Sequence, residues 1–291
     1  MTVPAQNSGQ AANSAAADHD SCLVLRDVAV AYGRKVVLRE VFADIRRGQV
    51  VGIIGPNGSG KSTLLKAIVG LVPLLSGKIT LFGRSVSGLK DRIAYVPQRE
   101  LVDWEFPVTV FDVAMMGRLP SIGWLRRPRK QDVEAVEDAL DRVGMLAYRS
   151  DQIGRLSGGQ QQRVFIARAL AQDAEVYLLD EPMTGIDSAT QEVILRIIDE
   201  LRAEGRIILL ATHDLASASC ACDCLCCVNQ RMVSYGPTLE TYTPEVMEQT
   251  YGGLPVIMLN RPGAGLRDAH ARDAHTHAHE GHSHTHDGHT H

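Results

Sequence analysis

A glycine-rich segment of nine residues constrains this chain more than any other feature, because it directly follows a short apolar run. The apolar run covers residues 51–54 and has the composition of a buried strand. The segment after it has the spacing Gly-x-x-x-x-Gly-Lys-Ser, which is typical of a phosphate-binding loop that opens a helix. Its members are Gly55, Pro56, Asn57, Gly58, Ser59, Gly60, Lys61, Ser62 and Thr63. The pattern predicts a site for a nucleoside triphosphate.

The chemistry of this loop follows from its residue types. Glycines allow backbone N–H groups to crowd around phosphate oxygens, and the start of the following helix adds the positive end of its dipole. We expect Lys61 to reach the terminal phosphates, Ser62 to bind Mg²⁺ and Thr63 to contact a neighbouring phosphate. A chance glycine turn before a helix is the weaker alternative in this strand, turn and helix context.

Two carboxylates follow a second buried strand. Residues 176–179 are continuously apolar, as in a parallel strand covered on both faces, and Asp180 and Glu181 come next. Ligands of open α/β folds bind at the carboxyl edge of the sheet. We therefore expect Asp180 to hold Mg²⁺, directly or through water, and Glu181 to polarise the attacking water. The alternative is a pair of solvated acids at a strand end.

Two further strand ends carry polar side chains. Residues 206–212 form a predicted strand that ends at His213, and residues 93–96 form another that leads through Pro97 to Gln98. A histidine at the same sheet edge would donate a hydrogen bond to the γ-phosphate, although a lone histidine there is more often structural. Gln98 would sense the metal that accompanies the nucleotide.

A separate glycine turn, Leu-Ser-Gly-Gly-Gln at residues 156–160, opens a helix before the acidic strand. With these motifs in this order, the chain resembles the nucleotide-binding subunits of ATP-binding cassette (ABC) transporters from about residue 22 to residue 251. The resemblance implies an α/β P-loop NTPase core with a mixed sheet, an antiparallel β subdomain and an inserted α-helical subdomain. It also implies roles in nucleotide binding for Tyr32, which would stack on adenine, for the signature residues Ser157, Gly158, Gly159 and Gln160, and for Asp187 in the loop between subunits.

The resemblance further implies an ATP hydrolase that uses ATP and Mg²⁺. In this family the signature of one subunit covers the ATP of another, so we expect a homodimer beneath separate transmembrane permease subunits. The amino-acid sequence of residues 102–128 is similar to that of ATPases in the manganese, zinc and iron uptake branch. The importers of this branch use an extracytoplasmic metal-binding protein. In this stretch Trp104 and Phe106 would line a groove for the permease, or would only pack the helical subdomain.

The expected cargo is zinc or manganese, ahead of iron. The alternatives are an importer of ferric chelates or of another cargo and, more distantly, a soluble ABC ATPase that takes no part in transport.

Composition sets the remaining limits. The chain has 291 residues, 45% of them hydrophobic, which suffices for one substantial domain. Its formal net charge of -4 does not indicate the basic surface that binding of nucleic acid requires. Neither a secretory signal nor an apolar run of about 20 residues, the length that spans a bilayer, is present in the sequence. We expect the chain on the cytoplasmic side of the cell membrane, as a peripheral protein held through the permease.

The predicted domain organisation has three parts. Residues 1–21 form a disordered leader, residues 22–265 form the ABC ATPase domain with a helical subdomain at about residues 99–171, and residues 266–291 form a tail. Nine of the chain's 11 histidines lie between His270 and His291. Neutral imidazoles are good ligands for Zn²⁺, so the tail would buffer or sense metal, or would be passive. The candidate ligands are His275, His277, His279, His282, His284 and His286.

Five cysteines lie close together at positions 220, 222, 224, 226 and 227. Residues 224–228 fall where the fold needs a buried strand, whose side chains alternate between two faces and cannot all converge on one ion. Packing in the core is the expectation. A soft-metal or redox role is the alternative.

Overall fold

The computed structural model describes residues 21–98, 106–123 and 126–253. The strands are β1 (Ser21–Tyr32), β2 (Lys35–Arg46), β3 (Val50–Ile54), β4 (Ser76–Leu81), β5 (Arg84–Ser85), β6 (Ile93–Val96), β7 (Val176–Asp180), β8 (Ile207–Thr212), β9 (Cys224–Val228) and β10 (Met232–Pro237). The α-helices are α1 (Lys61–Ile68), α2 (Val110–Met115), α3 (Leu119–Ile122), α4 (Lys130–Arg142), α5 (Gly158–Ala171), α6 (Ser188–Ala203), α7 (Leu215–Ala221), α8 (Thr238–Thr241) and α9 (Pro244–Tyr251). Short 3₁₀ turns cover Val86–Gly88, Lys90–Arg92, Met116–Arg118, Leu146–Tyr148 and Ile153–Arg155.

A mixed sheet of six strands carries the site. Its order is β10-β9-β3-β8-β7-β6, in which β10 pairs antiparallel with β9 and the other neighbouring pairs are parallel. Every residue of β3, β7, β8 and β9 is buried, as expected for parallel strands covered on both faces. The parallel strands end at one edge, so the polar residues that follow β3, β7 and β8 come together there.

A second, antiparallel sheet covers one face of the first. Its order is β2-β1-β4-β5. In β2, buried residues such as Val41, Ala43 and Ile45 alternate with exposed or partly exposed ones, which is the pattern of a sheet with one solvated face. Its buried side chains share one apolar core with α1 and with residues of the large sheet, including Ile53 and Leu209.

Helices cover the opposite face. The helices α2, α4 and α5 lie in the chain between β6 and β7, and they share an apolar core with α6 and with β7 and β8. The periodicity predicted a helix at residues 132–143 and another at 187–202, and the observed helices α4 and α6 lie within two residues of those bounds. The predicted fold class is therefore confirmed. In the part of the chain that the structure describes, no helix is long and apolar enough to cross a membrane.

The cysteines follow the predicted alternation. Cys224 and Cys226 pack in the core beneath the antiparallel sheet, whereas Cys222 and Cys227 pack in the helix-covered core. Cys220 is exposed on α7. Burial raises the pKa of both Cys222 and Cys227 to about 12, so these thiols stay protonated at neutral pH. The strand predicted at residues 224–228 is confirmed as β9.

Close packing of α5 explains one glycine in the helical region. A Cβ added at Gly117 would lie 2.0 Å from the carbonyl oxygen of Arg168. We predict that Gly117→Ala lowers the free energy of unfolding by about 1–3 kcal/mol, because the added methyl group must push the turn that contains Gly117 away from α5. Gly88→Ala is the control, since a Cβ there meets nothing within 4 Å. Urea unfolding of both variants measures the difference. Equal stability would show that the segments separate without cost.

Candidate active site

The turn after β3 brings the backbone of the phosphate loop against a neighbouring strand. A Cβ at Gly55 would lie 2.0 Å from the carbonyl oxygen of Val228, at the end of β9. Gly60, which precedes α1, has a φ of 107°, a conformation that favours glycine. The first and last glycines of the motif are therefore required by close approach and by backbone conformation.

Lys61 and Ser59 give the loop its polar groups. Nζ of Lys61 donates hydrogen bonds to the carbonyl oxygens of Gly55 at 2.9 Å and Pro56 at 3.2 Å. Burial lowers the pKa of Lys61, and the nearby carboxylates of Glu181 and Asp180 act in the opposite direction. The buried hydroxyl of Ser59 has no hydrogen-bond partner among the described residues. Since an unpaired buried hydroxyl is costly, this cradle fits a phosphate group whose oxygens would accept from it.

Asp180 is fully buried at the end of β7. Its Oδ1 accepts a hydrogen bond from Oγ of Ser62 at 2.8 Å, and its Oδ2 accepts one from the hydroxyl of Tyr95 at 3.1 Å. Burial raises the pKa of the Asp180 carboxyl, while the bonds from Ser62 and Tyr95 oppose that rise. A buried carboxylate beside a hydroxyl oxygen is a donor set that fits Mg²⁺, which prefers oxygen ligands.

Glu181 has an unusual backbone conformation. Its φ is 49°, which is uncommon for a residue other than glycine, and its N–H donates to the carbonyl oxygen of Ala211 in β8 at 2.9 Å. Its Oε2 accepts a hydrogen bond from Oγ1 of Thr184 at 3.2 Å, and Nδ1 of His213 lies 3.2 Å from the same oxygen. The turn thus aims the Glu181 side chain toward the end of β8.

These groups surround a cleft of about 490 Å³. Residues 57–63 line it together with Gln98, Glu181 and His213, so the structure brings together most of the residues that the sequence predicted for one nucleotide site. Tyr32 is about half exposed at the end of β1 and is not among the residues that line the cleft. Its predicted contact with adenine stays a prediction.

Three residues near the site were missed by sequence reasoning. Val37 and Thr184 line the cleft, and Tyr95 contacts Asp180. The sequence offered a signal only for Tyr95, a polar residue in an otherwise apolar strand that leads to Gln98.

The signature residues form the first turn of α5. Ser157 caps the helix, with its Oγ accepting from the backbone N–H of Gln160 while its own N–H donates to Oε1 of Gln160. A Cβ at Gly159 would lie 2.6 Å from Oγ1 of Thr190 and 2.7 Å from Oδ2 of Asp187. Residues 157–160 are not among those that line the cleft of this chain.

Asp187 caps α6 in the same chain. Its Oδ1 accepts from the backbone N–H of Thr190 at 2.9 Å, and its Oδ2 accepts from the hydroxyl of Thr190 at 3.0 Å. These bonds, the backbone one foremost, lower the pKa of Asp187. Because Gly159 packs directly on this cap, the signature turn and the start of α6 form one unit. The role of Asp187 between subunits stays a prediction.

Two groups of predicted residues lie outside the described residues. They are Trp104, in the segment predicted to contact a permease, and the histidines of the tail.

The sequence motifs and this geometry agree with a known family. A family model described as ABC transporter matches residues 38–184, which is half of the chain. The chain belongs to the ABC transporter family. The chain hydrolyses ATP and uses Mg²⁺, as predicted from the sequence.

Relatives cover most of the chain. The manganese transport system ATP-binding protein MntB of Bacillus subtilis (strain 168) is 48% identical over 229 residues, which are 79% of this chain and 92% of the relative. The zinc transport system ATP-binding protein TroB of Treponema pallidum (strain Nichols) is 46% identical over 249 residues, which are 86% of this chain and 93% of the relative. Among solved structures, a metal-chelate type ABC transporter in an inward-facing conformation has a TM-score of 0.70 and 26% identity, over 79% of this chain and 89% of that one.

The contact between the signature turn and the cap of α6 can be tested at Gly159. We predict that Gly159→Ala displaces Asp187, because the added Cβ would overlap Oδ2 of Asp187 and Oγ1 of Thr190, which are hydrogen-bonded to each other. Amide hydrogen exchange should become faster at Thr190, whose N–H is held by Asp187. ATP hydrolysis should fall, while binding of ATP at the chain's own phosphate loop is retained. Gly88→Ala should change neither exchange nor hydrolysis. Unchanged exchange at Thr190 in Gly159→Ala would contradict the contact.

Proposed function

We propose that this ABC ATPase powers the import of a transition metal, zinc or manganese, through a separate membrane permease. The observation that carries the proposal is the cleft that gathers the phosphate loop, Gln98, Glu181 and His213, in a chain that is 46 to 48% identical to ATP-binding proteins named for zinc and manganese transport. The cleft supports the role of ATP, and the names of the relatives support the cargo.

In this proposal the two carboxylates at the end of β7 have different tasks. Asp180 and Ser62 hold Mg²⁺, which neutralises charge on the phosphates of ATP when it is bound. Glu181 orients the attacking water, and its carboxylate lies beside Thr184 and His213. His213 lies next to the Glu181 carboxylate and donates a hydrogen bond to the γ-phosphate.

Other predicted residues keep their proposed roles. Lys61 leaves its carbonyl partners to reach the terminal phosphates, and Thr63 contacts a neighbouring phosphate. Gln98 contacts the metal that accompanies the nucleotide. It thereby signals to the permease whether the nucleotide and its metal are bound. Tyr32 stacks on the adenine base.

The proposed working unit is a homodimer. The signature turn of each chain lies outside its own cleft, so it is free to cover the ATP of a second copy. The first backbone N–H groups of α5 and the helix dipole suit an anion such as the γ-phosphate. Asp187 then lies at the junction between the two copies.

The proposed location is the cytoplasmic side of the cell membrane, peripheral to the permease. Exposed apolar side chains of the region after Gln98 support a docking surface for the permease: Phe106 is 60% exposed, Leu119 54% and Met116 41%. Such adaptable apolar groups suit a short helix from a partner. An extracytoplasmic metal-binding protein would complete the import system.

A ferric chelate is the second candidate cargo. A relative named as a chelated iron transport system protein, YfeB of Yersinia pestis, favours it, because it is 44% identical over 249 residues, which are 84% of this chain. The identities to the manganese and zinc proteins are slightly higher, at 48% and 46%.

Metal accumulation in cells tests the cargo. We predict that Glu181→Gln, which removes the charge but keeps the shape of the side chain, lowers cellular zinc or manganese and leaves iron unchanged. The metals are measured together by elemental mass spectrometry in cells that carry either form. Glu134→Gln is the control, because Glu134 is an exposed partner of Lys130 on α4. A deficit of iron alone would favour the ferric chelate, and no deficit of any metal would overturn the metal assignment.

The histidine tail supplies a second proposal, that it binds Zn²⁺ and limits uptake when cytosolic zinc is high. We predict that a chain truncated after Arg267 binds fewer zinc ions in equilibrium dialysis than the full chain, because nine histidines are lost, among them the six candidate ligands from His275 to His286. In cells the truncated form should accumulate more metal. Equal zinc binding by both forms would leave the tail without a metal-binding role, and reduced binding with unchanged accumulation would make it a passive buffer.

A further inference from the structure

A tyrosine in the strand before Gln98 reaches the buried carboxylate of the site. Tyr95 in β6 pairs in register with Leu178 in the parallel strand β7. Its side chain extends along β7 toward the residue that ends the strand, and its hydroxyl donates to Oδ2 of Asp180 at 3.1 Å. With Ser62 on Oδ1, both carboxylate oxygens of Asp180 have a hydrogen-bond donor.

The position of Tyr95 is fixed from the other side by α5. Nη2 of Arg168 donates to the backbone carbonyl oxygen of Tyr95 at 2.8 Å. The Arg168 guanidinium lies 4.7 Å from the centre of the Phe165 ring in the same helix. A second bond, from Nε2 of Gln172 to the carbonyl oxygen of Ile93 at 3.0 Å, holds the start of β6 to the end of α5. The strand that carries the hydroxyl is therefore attached to the signature helix at two carbonyl groups.

The hydroxyl of Tyr95 acts on Asp180 as a hydrogen-bond donor, at 3.1 Å from Oδ2. A neutral donor on one oxygen of a carboxylate limits rotation of the group without removing its charge.

We propose that Tyr95 is a positioning residue for ATP hydrolysis, whose hydroxyl holds the Asp180 carboxylate in the orientation that receives the Mg²⁺ of the nucleotide. Mg²⁺ requires nearly ideal octahedral geometry and therefore tolerates a rotated carboxylate poorly. Groups that hydrogen-bond to metal ligands fix the orientation of those ligands, and their loss typically weakens metal binding about 10- to 100-fold. Ser62 cannot supply this restraint alone, because it is itself expected to turn toward the metal.

The test is Tyr95→Phe, which keeps the ring and removes only the hydroxyl. Mn²⁺ serves as a spectroscopic probe for Mg²⁺, and its binding to the full chain in the presence of ADP is titrated by electron paramagnetic resonance. We expect binding of Mn²⁺ to weaken by about 10-fold or more. The Mg²⁺ concentration that gives half-maximal ATP hydrolysis should rise by a similar factor, and kcat at saturating Mg²⁺ should largely recover.

Two comparisons separate positioning from a general structural effect. Binding of ATP in the presence of a chelator, and the unfolding midpoint without metal, should match those of the unmodified chain. Tyr177→Phe is the matched control, because Tyr177 lies on the adjacent strand β7 but packs in the helix-covered core, away from Asp180. It should leave binding of Mn²⁺ unchanged.

The proposal is overturned if Tyr95→Phe binds Mn²⁺ as tightly as the unmodified chain. It is also overturned if metal-free ATP binding weakens as much as metal binding does, since the hydroxyl would then support the loop as a whole. Weaker Mn²⁺ binding in both Tyr95→Phe and Tyr177→Phe would likewise show a general loss of packing.

Discussion

The site depends on a carboxylate that the fold removes from water. Asp180 is fully buried at the end of β7, and burial alone makes its ionised form unfavourable. Hydrogen bonds from Ser62 and Tyr95 stabilise the ionised form and offset part of this cost of burial. A cation next to the carboxylate offsets more of it, because charges attract strongly where water is excluded. The same burial that costs stability in the free chain therefore increases the affinity of this position for the metal of the nucleotide.

The rest of the site follows from the parallel sheet. The strands β3, β7 and β8 are neighbours, and each ends at the same edge, so the phosphate loop, the two carboxylates and His213 meet although they are far apart in sequence. Main chain is packed closely at this edge. Gly55 has no room for a Cβ beside Val228, and Glu181 adopts a positive φ that its bond to Ala211 helps to hold. Strain of this kind persists only where surrounding contacts impose it.

Much of this arrangement could be predicted from the sequence, for a definite reason. The apolar runs before Gly55, Asp180 and His213 are long enough to be buried strands, and parallel strands deliver whatever follows them to one edge. The contact between Tyr95 and Asp180 could not be predicted in this way, because it depends on the register of β6 against β7. Nor could the contact of Thr184 with Glu181, which depends on the local turn. The contact of Gly159 with Asp187 is between two helix starts that are 28 positions apart, and spacing alone gives no sign of it.

Two contacts of this kind are made by α5, the helix that begins at the signature turn. The helix α5 is attached at its start to the cap of α6 through Gly159 and near its end to β6 through Arg168 and the carbonyl oxygen of Tyr95. The first contact involves a glycine and the second a main-chain carbonyl oxygen. Substitution of a surface side chain alters neither of these groups. If a second copy moves the signature turn when it binds ATP, α5 must either carry β6 with it or break the hydrogen bond from Arg168 to the carbonyl oxygen of Tyr95. Since β6 presents Tyr95 to Asp180 and leads directly to Gln98, a displacement of α5 would reach the metal carboxylate and the proposed permease contact through the same short strand.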